Sequence, residues 1–227
     1  PLFHTGGCVI CVLGSVAHRC TQLIVETFEP GLVLELIETY RANALVGVPT
    51  MLIGMLEHPD FRERDTSSIH TMTSGGSTVP AALVKQFEEE LGAEFTIVFG
   101  QTECSPVASM TRPDDSLDDK ANTLGGPMPN VEVKIVDAET GQTVPFGELG
   151  EYCTRGYHVM HEYFDMPEAS RETVDEDGWL HTGDLCSMDE RGYCKVEGRL
   201  KDMIIRGGEN IYPGEVESIL VRHQGVE

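Results

Sequence analysis

The sequence predicts an α/β protein: a parallel sheet flanked by helices, followed by a small β-barrel-like subdomain and the start of a C-terminal α+β domain. Three observations carry this expectation. Between residues 21 and 110, short β-branched runs alternate with stretches of helical period, the mark of βαβ units and a mostly parallel sheet. Beyond Pro113, period-two alternation takes over, as in Val131-Glu132-Val133-Lys134-Ile135-Val136, with turns such as Glu139-Thr140-Gly141, and this reads as hairpins. From Pro213 a helical stripe of Val216, Ile219 and Leu220 begins and reaches Glu227 before it meets a partner, so the chain is expected to be a fragment.

Element by element, Leu23-Ile24-Val25 reads as a strand, and the helix after it would bury Leu32, Leu36, Ile37 and Tyr40. The run 44–48 reads as a second strand, with Pro49-Thr50 opening a short helix over 51–57 that His58-Pro59 closes. A strand around 69–73 leads through Gly75-Gly76 to a helix opened by Pro80. Leu83, Val84, Phe87 and Leu91 lie at helical spacing, and Gly92 stops it. Glu94–Phe99 extends again. The acidic stretch 114–119 and Gly125-Gly126-Pro127 mark a loop, Glu151-Tyr152-Cys153-Thr154 a strand, and 193–196 and 203–205 a last strand pair around Arg199-Leu200-Lys201-Asp202.

At 227 residues the chain can bury a full core. No apolar run approaches the roughly 18 residues of a membrane span, and Pro1-Leu2-Phe3-His4 lacks a signal-peptide pattern. A cytoplasmic location is expected. A formal charge of -22 argues against nucleic acid as a partner, because phosphate backbones are held by clustered Lys and Arg. Any bound phosphate must then meet backbone amides or a metal. The acidic balance also suits a salt-loving source, where ionic strength screens the repulsion. Seven scattered cysteines, an odd number, suggest a reducing compartment. Cys8, Cys11, His18 and Cys20 are zinc-ligand types, but Val9, Ile10, Val12 and Leu13 around them are apolar, so they read as buried structural cysteines.

In a parallel sheet, ligands bind beyond the carboxyl ends of the strands. Two glycine-bearing loops fall there: Thr73-Ser74-Gly75-Gly76-Ser77 and Phe99-Gly100-Gln101-Thr102-Glu103. Glycine lets the backbone approach a flat or anionic ligand, Thr102 offers a hydroxyl to phosphate, and Glu103 offers Mg2+ a hard oxygen. Each loop alone is equally readable as a plain turn. The first is no P-loop, because Val79-Pro80-Ala81 follows where that loop needs lysine. Asp175-Glu176-Asp177-Gly178 reads as a solvated turn, its glycine arriving too early for a calcium loop. In His181-Thr182-Gly183-Asp184, expected as a tight turn between strands, the aspartate can accept ribose hydroxyls or turn amides.

Read in order, the motifs become specific. Pro1-Leu2-Phe3-His4-Thr5-Gly6-Gly7, Gly47-Val48-Pro49-Thr50, Ser74-Gly75-Gly76-Ser77, Phe99-Gly100-Gln101-Thr102-Glu103, Gly147-Glu148-Leu149-Gly150-Glu151, His181-Thr182-Gly183-Asp184 and Gly198-Arg199-Leu200-Lys201-Asp202 follow one another. This succession resembles the adenylate-forming superfamily of acyl-CoA synthetases, luciferases and peptide-synthetase adenylation domains. Lys201-Asp202-Met203-Ile204-Ile205-Arg206-Gly207-Gly208-Glu209-Asn210-Ile211-Tyr212-Pro213 further resembles the fatty acyl-CoA synthetase branch, especially its medium-chain members.

The resemblance implies ATP and AMP, Mg2+ and coenzyme A as ligands, a fatty or other carboxylic acid as substrate, and a homodimer as one possible assembly. Ser74, Gly75 and Gly76 would border adenine, Phe99 and Gly100 would lie against it, and Thr102 and Glu103 would serve phosphates and metal. Asp184 and Arg199 would hold the ribose. His4 would stand near the acyl carboxylate, the alternative being a loop histidine with a structural hydrogen bond. Thr5, Val98, Gly100, Cys104 and Ser105 would line the acyl pocket, Gly207 and Gly208 the coenzyme A side, and Lys201 the hinge of a C-terminal lid domain. The implied division is 1–112 for acyl and adenine binding, 113–198 for the barrel-like subdomain, 199–202 for the hinge and 203–227 for the start of the lid. The family's phosphate-binding loop ending in Pro-Lys and its C-terminal lysine are not among these residues, so the chain alone is expected to be inactive or nearly so. Two readings compete: an aromatic-acid or carrier-protein adenylating ligase, and a noncatalytic nucleotide-binding module.

Overall fold

The computed structural model describes residues 2–77, 79–206, 209–211, 213–220 and 225. The chain divides into two compact units, Pro1–Met128 and Pro129–Glu227. In the first, strands β1 (Ala44–Val46), β2 (Thr71–Gly75) and β3 (Glu94–Phe99) are parallel neighbours. The short β4 (Ser109–Met110) and β5 (Gly126–Pro127) extend the same sheet antiparallel. Residues on both sides of the expected boundary at 112 therefore belong to one sheet.

The core of this unit packs helices on the parallel strands. Leu34 and Ile37 of α2 (Pro30–Tyr40), Leu52 and Met55 of α3 (Pro49–Glu57), and Leu83, Val84 and Phe87 of α4 (Ala81–Leu91) are buried with Met72, Phe95 and Ile97 of the sheet. The Phe87 ring meets Phe61 edge-on at 6.4 Å and Phe95 at 6.1 Å. Each helix has local causes. Glu29 caps α2 by accepting from Gly31 and Leu32, with Pro30 in its first turn. Gly92, at φ 64°, ends α4 in the left-handed conformation that glycine adopts without steric cost.

Several expectations change. Residues 23–25 form no strand: no sheet edge pairs with them among the described residues, and Ile24 is 62% exposed. In α2 the buried pair is Leu34 and Ile37, while Leu32 and Tyr40 face out. Both stripes are apolar, and packing against α3 and the turn Pro59–Arg62 selects between them. Within the acidic loop lies a helix, α5 (Leu117–Asn122). Ser116 caps it by accepting from Asp119 N–H, and Asp118 and Asp119 sit in its first turn, where the positive end of the helix dipole favours carboxylates. The Lys120 ammonium, 4% exposed, ties α5 to α4 through Glu88 and the Pro113 carbonyl, each at 2.7 Å. Near the start, a π-helical segment (Gly6–Leu13) and α1 (Gly14–His18) contain no buried residue. Cys8 and Cys11 are half-buried and Cys20 is exposed, so these are not the buried cysteines expected.

The second unit is built on β6 (Val131–Val136), β7 (Gly150–Gly156), β8 (Leu180–Met188) and β9 (Cys194–Arg199), each pairing antiparallel with the next. In place of the barrel, the described residues form an open four-stranded sheet with β6 and β9 at its edges. A helix, α6 (Pro167–Thr173), lies between β7 and β8 in the chain. Past a short turn at Leu200–Asp202, β10 (Ile204–Arg206) pairs with β11 (Glu209–Ile211) rather than with β9, and α7 (Pro213–Leu220) follows. Among the described residues no helix is long and apolar enough to cross a membrane.

Candidate functional site

The first unit presents its candidate residues at the carboxyl ends of adjacent parallel strands. Ser74 lies opposite Ile97 and Gly75 opposite Val98, so the loops after β2 and β3 leave the sheet side by side. The closeness is enforced: a Cβ on Gly75 would stand 2.3 Å from the Val98 carbonyl oxygen, and one on Gly100 would stand 2.1 Å from that of Pro106. Gly76 differs, with φ 80° and nothing within 4 Å of an added Cβ. Its backbone borders open space. The Gly47 amide donates to the Thr73 carbonyl at 3.1 Å, bringing the end of β1 to the same edge.

After Phe99 and Gly100, Thr102–Cys104 makes one tight turn, with Thr102 exposed, Glu103 half-buried and Cys104 fully buried. Thr102 and Glu103 thus place a hydroxyl and a carboxylate on consecutive residues of this turn, oxygen groups that suit phosphate and Mg2+. Ser74 is 1% exposed, and its hydroxyl has no hydrogen-bond partner among the described residues. Of the expected acyl-pocket residues, Val98 and Gly100 are half-buried and Ser105 is exposed; these and Cys104 occupy β3 and the loop after it, whereas Thr5 lies in the N-terminal segment. His4 is exposed, and its Nδ1 accepts the Gly6 amide at 3.1 Å.

The second unit carries the other group. Asp184 does not sit in a tight turn between strands, as expected, but within β8, directly across from Arg199 on β9. Arg199 Nε donates to Asp184 Oδ1 at 3.1 Å. Asp184 is 7% exposed. Burial raises its pKa above the ordinary carboxylate value, and the Arg199 guanidinium works against that rise. Behind it, β7 and β8 lose register: Glu151 faces Leu185, but Cys153 faces His181. Thr182, Gly183 and Asp184 bulge out opposite Tyr152, with Gly183 at φ 71°. Thr182 Oγ1 donates to the Tyr152 carbonyl at 2.7 Å and accepts from the Asp184 amide at 3.1 Å. A cleft of about 240 Å³ is lined by Thr182, Gly183, Arg199, Leu200 and Lys201.

Lys201 lies exposed in the turn Leu200–Asp202. Gly207 and Gly208, expected on the coenzyme A side, lie outside the described residues. Glu151 stood in a motif but drew no role from sequence. Its partners lie some thirty positions away, beyond the reach of local pattern.

A family model described as AMP-binding enzyme matches residues 1–164. The chain belongs to this family. It is 48% identical over its whole length to the putative acyl-CoA synthetase YngI of Bacillus subtilis, covering 41% of that protein. It is 42% identical, again over its whole length, to the mitochondrial medium-chain acyl-CoA ligase ACSF2 of Rattus norvegicus, covering 37%. Among solved structures, ATP-bound MatB from Rhodopseudomonas palustris superposes with a TM-score of 0.90 at 30% identity, over 100% of this chain and 44% of that one. O-succinylbenzoate coenzyme A synthetase (MenE) from Bacillus subtilis, in complex with AMP, gives 0.88 at 34%, over 100% and 45%. The chain spans about two fifths of the length of the curated relatives it matches.

Proposed function

We propose that the full-length protein is an ATP-dependent acid-CoA ligase of the cytoplasm. It activates a fatty, medium-chain carboxylic acid as acyl-AMP with release of pyrophosphate, then passes the acyl group to the thiol of coenzyme A. The observation that carries this reading is the 42% identity over the whole chain to a medium-chain acyl-CoA ligase. The small or apolar side chains of Thr5, Val98, Cys104 and Ser105 support an alkyl substrate, since none offers a charge to an amino acid's ammonium group.

Each unit contributes its own share. In the first, Ser74, Gly75, Gly76, Phe99 and Gly100 border adenine, Thr102 meets the phosphates, and Glu103 holds Mg2+. The open space beside Gly76 and the unpartnered Ser74 hydroxyl fit this assignment. Bound there, the metal would neutralise charge developing on the phosphates. In the second unit, Asp184 and Arg199 hold the ribose; a carboxylate accepts from hydroxyls and a guanidinium donates to them. His4 takes the acyl side. Lys201 is the hinge, residues 203–227 begin the lid, and Gly207 and Gly208 serve coenzyme A. A hinge concentrates backbone rotation at few positions, so Lys201→Pro in the full-length protein should slow thioester formation more than adenylation.

The test is to incubate the full-length protein with ATP, Mg2+, coenzyme A and a panel of acids, and to identify products by chromatography and mass. Medium-chain thioester with AMP is the expected result. A second reading, an aromatic-acid ligase, draws on the likeness to O-succinylbenzoate coenzyme A synthetase, and thioester formed only from aromatic acids would establish it. Nucleotide binding without any thioester would point to a noncatalytic module.

A further inference from the structure

We propose that Glu151 is a positioning residue for nucleotide binding, acting through the bulge of β8 that carries Asp184. The inference rests on the reading that Asp184 and Arg199 hold the ribose. Glu151 is 9% exposed and both its oxygens are engaged. Oε1 accepts the Gly183 amide at 2.9 Å, and Oε2 lies 2.7 Å from His181 Nδ1. The second ring nitrogen of His181 lies 3.7 Å from Asp175 Oδ2, beyond hydrogen-bonding distance, so the imidazole is held through Nδ1.

The contacts fall where the register breaks. The carboxylate of Glu151 grips the bulge at Gly183, one residue short of Asp184, and also the flanking His181. Gly183 also lines the cleft that Arg199 lines. The clasp therefore sets the path of the backbone that presents the Asp184 carboxylate to Arg199. Cys153 Sγ, 3.5 Å from His181 Nδ1, completes a group of carboxylate, thiol and imidazole donors. With both Glu151 oxygens and His181 Nδ1 already committed to one another and to Gly183, the group works as a hydrogen-bonded clasp. Removing it frees the Gly183 amide and lets the bulge relax, which weakens ribose recognition without touching groups that act on phosphate or acid.

The experiment compares Glu151→Ala, Glu151→Gln and Asp184→Ala with wild type in the full-length enzyme, using ATP and 2′,3′-dideoxy-ATP, with melting curves to verify folding. Glu151→Ala should raise KM for ATP roughly 10- to 100-fold, the worth of hydrogen bonds to a charged group, with kcat changed far less. The effect should shrink toward unity with the dideoxy nucleotide, whose ribose offers Asp184 nothing to bind. Glu151→Gln, which keeps an acceptor for Gly183, should recover part of the affinity. If Asp184→Ala discriminates between the two nucleotides no differently from wild type, the ribose reading fails. If Asp184→Ala loses discrimination while folded Glu151→Ala keeps it, the clasp proposal fails and the ribose reading stands.

Discussion

Gly100→Ala offers the sharpest structural test because its consequence can be worked from distances. The new methyl carbon would stand 2.1 Å from the Pro106 carbonyl oxygen, 2.9 Å from its carbon and 3.1 Å from the Ala108 nitrogen. All three are backbone atoms. Relief requires the segment after β3 to move on the order of 1 Å, a large shift in a close-packed interior. That shift opposes the bond from Ala108 N–H to the Phe99 carbonyl at 2.8 Å and the one from Met128 N–H to the Ala108 carbonyl at 2.9 Å. Each is worth about 1 kcal/mol net, and more if a buried partner is stranded. The total is about 2–3 kcal/mol, or a melting temperature lowered by roughly 4–12 °C for a domain of this size. Gly76→Ala supplies the contrast. It meets nothing within 4 Å and bears only the left-handed backbone cost of about 1–2 kcal/mol. Melting curves and ATP titrations of the two full-length variants should show Gly100→Ala the less stable, by about 1 kcal/mol. Its turnover should fall about 100-fold, as a 1 Å misplacement of Thr102 and Glu103 allows. Equal melting temperatures and equal turnover would refute the crowding argument.

Asp184→Asn should expose the cost of burying that carboxylate. Because its folded pKa is raised, the carboxyl contributes stability fully below its unfolded value near 3.8 and loses it as pH rises through the folded value. Urea midpoints should therefore show wild type losing ground to Asp184→Asn across that window and holding a constant gap at neutral pH; a gap unchanged by pH would contradict the burial. Lys120→Ala removes a 4%-exposed ammonium from Glu88 and should cost on the order of 3 kcal/mol in denaturant unfolding. Lys85→Ala, at the exposed pair with Glu89, should stay within about 1 kcal/mol; equal losses would refute the clamp. With a thiol reagent near neutral pH, Cys20 should label first. Cys104, Cys153, Cys186 and Cys194 should resist until unfolding, since all four are buried and burial pushes Cys153 and Cys194 up to about 12. Mass mapping of the labelled peptides reads the order.

Local signals sufficed where they were unambiguous. Glu94–Phe99 and Ala81–Leu91 were legible because Pro80, Gly92 and Gly100 punctuate them and their apolar residues follow one period. Other elements depended on distant partners. Leu23-Ile24-Val25 has strand composition but no ladder to join, and α2 offers two apolar stripes of which packing buries Leu34 and Ile37. In 117–122 the capping serine was overshadowed by the acidic run around it. The candidate residues were legible as ordered motifs, and parallel pairing of β2 with β3 explains why two of those motifs converge. The placement of Asp184 opposite Arg199 comes from the pairing of β8 with β9, and the Glu151 clasp behind it from a register shift between β7 and β8, whose partners lie about thirty residues apart in the chain. No local periodicity encodes such a shift.

We propose that this chain is part of an enzyme that adenylates a fatty acid. The most direct test is isotope exchange between pyrophosphate and ATP, catalysed by the full-length protein with Mg2+ and no coenzyme A, measured with and without a medium-chain fatty acid. Exchange should require the acid and collapse in Glu103→Gln. Nucleotide binding with no acid-dependent exchange, across short, medium, long and aromatic acids, would contradict it.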